Sequence, residues 1–321
     1  EPGNSMKKFM SERNIRSVVI PGSRFMRNRL IWNHFLLANA LKKEKIKLFH
    51  GLQGSIPLTC DCRAVVTIHN IQSKDSSNGF VPFLERKING LANRAKASRF
   101  IAVSEAVKRD LVESKVDSEK IETIMHGCNE FGQTKKVLPG LVDKKFVLYV
   151  GTITLRKNIG LLLEAFANIS QEFPKLLLVL AGKDLGQRQQ LKFKAEQLGI
   201  SEKIRFLEFV SRAELSALYT QAEFLAFPSL HEGFGLPVLE AMKCGCPVVS
   251  VRSGAVQDFG QDAVLFTENN IESFSQGLGQ LVRDKDLRKS LSRKAMARAK
   301  LFSWANSAAS TIRLYGEIMK Q

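Results

Sequence analysis

The chain has 321 residues, of which 44% are hydrophobic and 25% charged, and it carries a formal net charge of +17. This composition is typical of a globular protein with a sizeable core, and the length favours two α/β domains. A membrane-spanning helix needs about 18 apolar residues in a row, and the longest clear run here is Leu176–Ala181. No secretory signal pattern occurs in the sequence given, which favours a cytoplasmic protein.

The five cysteines show no C-x-x-C spacing, which disfavours a metal site and favours reduced thiols. Asp284-Lys285-Asp286 spells D-x-D, but it lies between two predicted helices. That position indicates a helix-capping turn, so we expect no metal site there either.

The positive charge is concentrated in the first half: residues 1–140 carry a net +11, against +6 for residues 141–321. Basic surfaces attract nucleic acid, anionic membranes or phosphorylated substrates. No nucleic-acid-binding motif accompanies the charge, so nucleic acid is the least favoured partner.

The first half alternates strands and helices, the pattern of a parallel α/β sheet. The predicted strands are Ile15–Ile20, Leu48–His50, Ala64–Ile68, Arg99–Ser104 and Ile121–Met125. The predicted helices are Arg24–Lys47, Phe80–Ala97 and Glu105–Glu113, the last capped by Ser104. Phe131–Leu141 has no apolar period and is interpreted as the interdomain linker.

Two interpretations apply to the helix Arg24–Lys47, whose ends are rich in Arg and Lys. Its apolar residues recur near the 3.6-residue period, as in a helix packed on a core with solvated ends. The alternative is a basic helix that also rests on an anionic membrane.

His69 and Asn70 follow the buried strand Ala64–Ile68. Parallel sheets bind ligands at the carboxyl ends of their strands, so His69 is a candidate site residue. The alternative is a hydrogen-bonded core histidine.

In the second half, Gly151 and Thr152 end the strand Lys145–Val150, and Arg156 and Lys157 precede the helix Ile159–Ile169. Cations at a helix start oppose the helix dipole, so we expect a bound anion to offset them. Lys183, after the strand Leu176–Ala181, either extends this anion site or is a solvated lysine.

The most informative stretch is Glu223–Ser250. A buried strand is followed by a loop containing Gly233 and Gly235, a helix over Val238–Lys243 and another strand, Pro247–Val251. Strand, glycine loop and helix form a phosphate-binding geometry. Two carboxylates border this turn, and we expect them to bind sugar hydroxyls. They are Glu232 and Glu240.

This run resembles the E-x7-E signature of the retaining glycosyltransferases of family four, which have the GT-B fold. The matching residues are Glu232, Gly233, Phe234, Gly235, Leu236, Pro237 and Glu240. The resemblance extends from about Arg16 to the chain end, is strongest at Tyr149–Asn158 and Phe227–Ser250, and points to mannosyltransferase-like members.

The resemblance implies a role for each matching residue. Glu232 and His69 would contact the transferred sugar, Glu240 the ribose, and Arg156 and Lys157 the diphosphate. The remaining donor-binding candidates are Gly151, Thr152, Lys183, Phe209, Val210, Gly233, Phe234, Gly235 and Leu236. The family often has Asp after the histidine; Asn70 stands there instead, which puts a charge role at that position in doubt.

The expected fold is two Rossmann-like domains facing across a cleft. Residues 1–138 would form the acceptor-side domain, 139–300 the nucleotide-sugar domain, and 301–321 a helix crossing back to the first domain. The expected activity is retaining, metal-independent transfer of a hexose from a GDP- or UDP-sugar, without a cofactor. The acceptor would be a saccharide or lipid-linked molecule, with the protein in the cytoplasm or peripheral on the inner face of the membrane.

Two other function classes stay open at this point. One is a non-catalytic nucleotide-sugar-binding or scaffold protein of the same fold, which donor turnover would distinguish. The other is a nucleic-acid-binding protein, an interpretation based on the net positive charge, which a salt-dependent nucleic-acid titration would test.

A domain of this type usually begins with a strand, a glycine-rich loop and a helix. Here Ile15–Ile20 is followed by Pro21-Gly22 and the long basic helix, a succession that resembles the family's third strand onward. The sequence therefore leads us to expect that the first domain lacks its initial strand-loop-helix and transfers weakly to an acceptor.

Overall fold

The computed structural model describes residues 18, 32–71, 80–129, 131, 138, 140–252 and 254–321, with the backbone alone for residues 80–86. The predicted strand Ile15–Ile20 apart from Val18, residues 24–31 of the predicted helix Arg24–Lys47 and most of the predicted linker Phe131–Leu141 lie outside this part of the chain.

The first described sheet is entirely parallel, with its strands side by side in sequence order. Its strands are Leu48–Gly51 (β1), Arg63–Ile68 (β2), Arg99–Ala102 (β3) and Ile121–Thr123 (β4). Its helices are Leu37–Lys43 (α1), Phe80–Lys96 (α2) and Glu105–Glu113 (α3). Ser104 caps α3, as predicted, by accepting a hydrogen bond from the backbone N–H of Val107.

The predicted helix Arg24–Lys47 is wrong at its carboxyl end. A π-helical turn over Trp32–Leu36 leads into α1, which stops at Lys43. Lys45 has a φ of 52°, which breaks the helical path before β1. The lysines beyond Lys43 therefore belong to a turn rather than to a helix face.

The second sheet is also entirely parallel, with the strand order β10-β9-β8-β5-β6-β7. Its strands are Phe146–Val150 (β5), Leu177–Ala181 (β6), Ile204–Leu207 (β7), Phe224–Phe227 (β8), Val248–Val251 (β9) and Leu265–Thr267 (β10). This is the doubly wound order, and its direction reverses between β5 and β8. Ligands bind such sheets at the carboxyl ends of the strands beside that reversal.

Helices cover both faces of the second sheet. They are Ile159–Ser170 (α4), Arg188–Gln197 (α5), Arg212–Gln221 (α6), Leu236–Lys243 (α7), Gly254–Gly260 (α8), Ile271–Arg283 (α9) and Lys285–Ala299 (α10). Asp284 caps α10 through a 2.8 Å hydrogen bond from the N–H of Leu287, as expected for the D-x-D.

The last helix, Trp304–Lys320 (α11), packs on the first sheet. Its buried Leu314 and Ile318 contact Val65 of β2 and Ile101 of β3. The two domains also touch directly, because one buried apolar cluster contains side chains from both. No helix within the described ranges is long and apolar enough to cross a membrane.

Candidate active site

Two turns meet where the second sheet reverses direction. The turn after β5 passes through Gly151 into the 3-10 turn Leu155–Lys157, and the turn after β8 leads to Gly235. Asn158, with a left-handed φ of 53°, separates the 3-10 turn from α4. Arg156 and Lys157 therefore lie beside the helix start rather than within the helix.

Glu232 lies between the buried Lys157 and the exposed Arg156. The Lys157 ammonium pairs closely with Oε1 of the Glu232 carboxylate, and the Ser229 hydroxyl donates a 2.5 Å hydrogen bond to the same Oε1. Arg156 Nη1 lies 3.5 Å from the other oxygen, Oε2. Glu232 and Lys157 are only 8% and 7% exposed, a burial that charged side chains tolerate when they are paired.

This cluster corrects one expectation from the sequence. We expected a ligand to supply the anion for Arg156 and Lys157, but Glu232 supplies it from 75 residues further along the chain. Two cations around one carboxylate still leave one positive charge in excess. That excess favours an anionic group at this edge of the sheet.

The glycine turn serves the domain interface as well as the expected ligand. A Cβ at position 233 would lie 1.6 Å from the backbone oxygen of His69, so only glycine permits this approach of the two domains. Ser104 of the first domain donates a 2.7 Å hydrogen bond to the Gly233 carbonyl. Gly235, with a φ of 98°, then starts α7.

The other residues of that turn differ in accessibility. Phe234 is 5% exposed and stacks on Phe259 at 5.0 Å between ring centroids, so its side chain belongs to the core. Leu236 lies partly exposed at the start of α7. Only the backbone of Phe234 is therefore left to meet a ligand.

Glu240 lies one turn into α7, half-buried, and accepts a 2.9 Å hydrogen bond from Tyr219 Oη. Burial raises the pKa of Glu240, while the Tyr219 hydrogen bond and then the charge of Arg212 oppose that rise. The carboxylate thus has one oxygen, Oε2, fixed by Tyr219.

The β5 turn is held by backbone and buried hydroxyl contacts. Tyr149 donates to the Thr152 carbonyl over 3.0 Å, and burial, with Glu232 nearby, raises the pKa of Tyr149 and keeps it a donor. A Cβ at Gly182 would lie 1.9 Å from the Gly151 oxygen, which explains the glycine after β6. The side chain of Lys183 is exposed, and that of Phe209 is 89% exposed beside the half-buried Val210.

The first domain presents histidines to this site. His69 Nδ1 lies 3.1 Å from His126 Nε2, and His69 Nε2 lies 2.8 Å from the Leu52 carbonyl oxygen. His231, next to Glu232, approaches Asn70 Oδ1 at 3.0 Å from the other side of the cleft. Asn70 therefore makes an interdomain contact where the family often has Asp.

Sequence reasoning missed several of these partners as site residues. Each had a local signal: Ser229 and His231 precede Glu232 by three residues and by one, and His126 directly follows the predicted strand Ile121–Met125. Asp258 of α8 accepts from the backbone N–H of Ala106 at 3.0 Å, which places a carboxylate of one domain at the start of a helix of the other. In the described part of the chain, no three His, Cys, Asp or Glu side chains are grouped as metal ligands would be.

Comparison with known families accounts for this architecture. Residues 132–298, more than half of the chain, match the family model described as glycosyl transferases group 1. The chain belongs to the group 1 glycosyl transferases. Residues 2–130 match the model described as glycosyltransferase family 4.

Two curated relatives show how far this similarity extends. The chain is 29% identical to the O-antigen chain mannosyltransferase B of Escherichia coli over 292 residues, covering 86% of this chain and 76% of that one. It is 36% identical to a D-inositol 3-phosphate glycosyltransferase of Corynebacterium jeikeium over 183 residues. That match covers 54% of this chain and less than half, 44%, of the relative.

A solved structure with the same fold is Anabaena Alr3699/HepE in complex with UDP and glucose. Its TM-score is 0.78 at 17% identity, covering 98% of this chain and 90% of that one. The expected fold of two parallel-sheet α/β domains, GT-B, is therefore confirmed, and the protein is a glycosyltransferase related to family four.

Proposed function

We propose that this glycosyltransferase transfers a hexose with retention of configuration and without a metal ion, from a nucleotide-diphosphate sugar to a saccharide or lipid-linked acceptor. The observation that carries the proposal is the buried pair of Glu232 and Lys157, with the exposed Arg156 beside it, at the sheet reversal and across the cleft from His69. We place the reaction in cell-surface polysaccharide or glycolipid synthesis, and the name of the Escherichia coli relative, an O-antigen chain mannosyltransferase, supports this.

Each charged group has a task in this reaction. The departing diphosphate gains negative charge, and Arg156 and Lys157 stabilise it, usually the largest catalytic term. The Gly233–Gly235 backbone and the start of α7 add N–H donors on the same side. Lys183 is a further proposed phosphate contact, while Gly151 and Thr152 shape the turn that carries the two cations.

Glu232 orients the sugar ring through its hydroxyls, and the buried pair with Lys157 holds the carboxylate in place. Attack from the face that the diphosphate leaves gives retention without a covalent intermediate. On the nucleotide, Glu240 binds the ribose hydroxyls, and Phe209 and Val210 contact the base.

The relatives support two donor candidates. Similarity to a mannosyltransferase makes GDP-mannose the first candidate, and the UDP-bound structural neighbour makes UDP-hexoses the second. The proposal includes no metal, because Arg156, Lys157, Lys183 and the N–H donors of the Gly233–Gly235 turn are proposed to stabilise the diphosphate.

The test is a screen of nucleotide-sugars for turnover and thermal stabilisation, followed by NMR of the anomeric centre in the product. We expect one GDP- or UDP-hexose to raise the melting temperature by mass action and to give a product with the donor's configuration. EDTA should leave turnover unchanged. Binding without turnover would instead support a non-catalytic binding protein, and an inverted product or an EDTA-sensitive rate would contradict the mechanism.

We also propose a peripheral contact with anionic lipid. The last turn of α1 exposes Lys42 and Lys43, and the segment after it exposes Lys45, Lys47 and the 39% exposed Ile46. Clustered lysines near a surface each gain about 1 kcal/mol on an anionic membrane. Flotation with anionic but not zwitterionic vesicles, lost at high salt, is the expected result; no difference between the vesicles would contradict it.

A further inference from the structure

His126 connects three parts of the molecule at the edge of the cleft. It follows β4, and its ring stacks on His69 with centroids 5.1 Å apart and an interplanar angle of 24°. The same ring meets Phe234 of the second domain edge-on at 5.2 Å and Trp304 of α11 at 5.2 Å. Three aromatic neighbours restrict the orientation of this imidazole.

The backbone around His126 is fixed as well. Ser307 of α11 donates a hydrogen bond to the Met125 carbonyl. A Cβ at Gly127 would lie 2.1 Å from the backbone nitrogen of Trp304, so the start of α11 packs directly on this turn. The last helix of the chain thereby sets the position of His126.

The hydrogen-bond geometry assigns the protons of the histidine pair. A carbonyl oxygen only accepts, so His69 Nε2, 2.8 Å from the Leu52 carbonyl, carries a hydrogen. Neutral His69 therefore accepts at Nδ1, and His126 Nε2–H is the donor over 3.1 Å. Burial, with His69 second, lowers the pKa of His126 to about 4, so at neutral pH His126 is uncharged.

We propose that His126 is a positioning residue for glycosyl transfer: it donates to Nδ1 of His69 while the Leu52 carbonyl accepts from Nε2, and the two contacts together hold the His69 ring in one tautomer and one orientation at the cleft. The inference rests on the proposed function, in which His69 contacts the transferred sugar. Without the contact from His126, only the Leu52 carbonyl would hold the ring. His126 itself touches no reacting atom.

The test compares His126→Phe with His126→Gln. Phe keeps a flat ring between His69, Phe234 and Trp304 but removes the hydrogen bond. Gln restores an N–H donor close to the position of the imidazole Nε2. Circular dichroism and thermal melting confirm that each variant folds, and Gln keeps the comparison informative if Phe fails to fold.

We expect His126→Phe to lower kcat about tenfold, because His69 is then placed less precisely at the reacting centre, with the donor KM within about twofold of wild type. His126→Gln should recover most of kcat. In protein labelled with nitrogen-15 histidine, His69 should show hydrogen on Nε2 and a hydrogen-bonded, unprotonated Nδ1. The Nδ1 signature should be lost in His126→Phe.

Two results would overturn the inference: hydrogen on Nδ1 of His69 in the wild type, or wild-type kcat in a folded His126→Phe. Wild-type kcat in His126→Phe counts against the role of His126, and leaves the proposed function intact, when the wild type is active and His69→Ala is inactive. If the wild type turns over no nucleotide-sugar, the proposed function fails, and the role of His126 in it fails too.

Discussion

The two faces of the cleft are held in place by different chemistry. On the second domain, opposite charges fix the site, with Glu232 between Lys157 and Arg156. On the first domain, hydrogen bonds fix His69, through His126 and the Leu52 carbonyl. We infer that the charged face handles the diphosphate and, through Glu232, the sugar hydroxyls. The histidine face meets the sugar from the acceptor side, where an extra cation would oppose the positive charge that develops on the sugar.

The largest expected effect comes from breaking the charged face. Glu232→Gln keeps the side-chain shape but leaves Lys157 and Arg156 without their anion, and we expect turnover to fall by about a hundredfold or more. A buried cation without its partner is costly, so the melting temperature should also drop while the fold persists. Turnover, circular dichroism and thermal melting measure these effects.

The matched control is Glu172→Gln, since Glu172 also pairs with an arginine, Arg283, but on the surface. Exposed pairs contribute about 0–1 kcal/mol, so this variant should melt and turn over close to wild type. Full activity in Glu232→Gln would refute the assignment of Glu232 to the sugar.

The next effect comes from separating the two faces. In Gly233→Ala the new Cβ would meet the His69 backbone oxygen at 1.6 Å. Because that atom belongs to the backbone, a side-chain rotation cannot relieve the clash, and the two domains must move apart. We expect kcat to fall about tenfold to a hundredfold, because small misplacements at a reacting centre have effects of that size. Donor binding, measured by titration calorimetry, should weaken much less than kcat falls.

Gly316→Ala in α11 is the control, because a Cβ there meets nothing within 4 Å. Alanine in a helix interior is favoured over glycine by about 0.8–1 kcal/mol, so this variant should be active and slightly more stable. Equal kcat in Gly233→Ala and Gly316→Ala would show that contact between the two faces is not needed for transfer.

A smaller effect is expected at the nucleotide end of the charged face. Tyr219→Phe removes the 2.9 Å hydrogen bond to Glu240 and should weaken donor binding about fivefold. That hydrogen bond opposes the rise in the Glu240 pKa, so the pKa rises further without it. As the pH falls, the donor affinity of Tyr219→Phe should therefore begin to decline at a higher pH than the donor affinity of the wild type.

The matched control is Tyr315→Phe, because the Tyr315 hydroxyl contacts His50 of the first domain. Both variants are titrated with donor at several pH values. Tyr315→Phe should leave the affinity and its pH dependence unchanged. Identical pH profiles for Tyr219→Phe and wild type would show that Tyr219 does not influence the ionisation of Glu240.

The two faces also differ in how far the sequence predicts them. The motif around Glu232 and Glu240 is contiguous, and the strands that flank it are short, apolar and bounded by glycine or proline, so both fold class and candidate residues could be inferred. The contacts across the cleft could not. Ser104 and Gly233 are 129 residues apart, and no periodicity relates them.

Two misjudgements have the same origin. Arg156 and Lys157 looked as if they lacked an anion because Glu232 reaches them only after the chain has passed through three further strands. The helix predicted to reach Lys47 stops at Lys43 because Lys45 takes a left-handed φ, which no apolar pattern signals. Local patterns predict elements, whereas tertiary contacts decide partners and ends.

The smallest expected effect is on stability at acid pH, on the histidine face. The pKa of His126 is lowered from 6.5 to about 4, chiefly by burial, so between these values the unfolded chain binds a proton that the folded chain does not. The contribution of His126 to stability is therefore complete above pH 6.5 and is lost as the pH falls towards 4. His126→Gln lacks this titration, so its melting temperature should fall less than that of wild type over the same window, by the equivalent of about 1 kcal/mol once solvent screening of the partly exposed ring is included. The pKa of His50 is also lowered, first by burial and then by His69. His50 is present in both the wild type and His126→Gln, so its effect cancels when their melting temperatures are subtracted. Parallel melting curves from pH 7 to pH 4.5 would show that the His126 ring is charged or freely solvated, and that the first-domain face is not the uncharged surface described above.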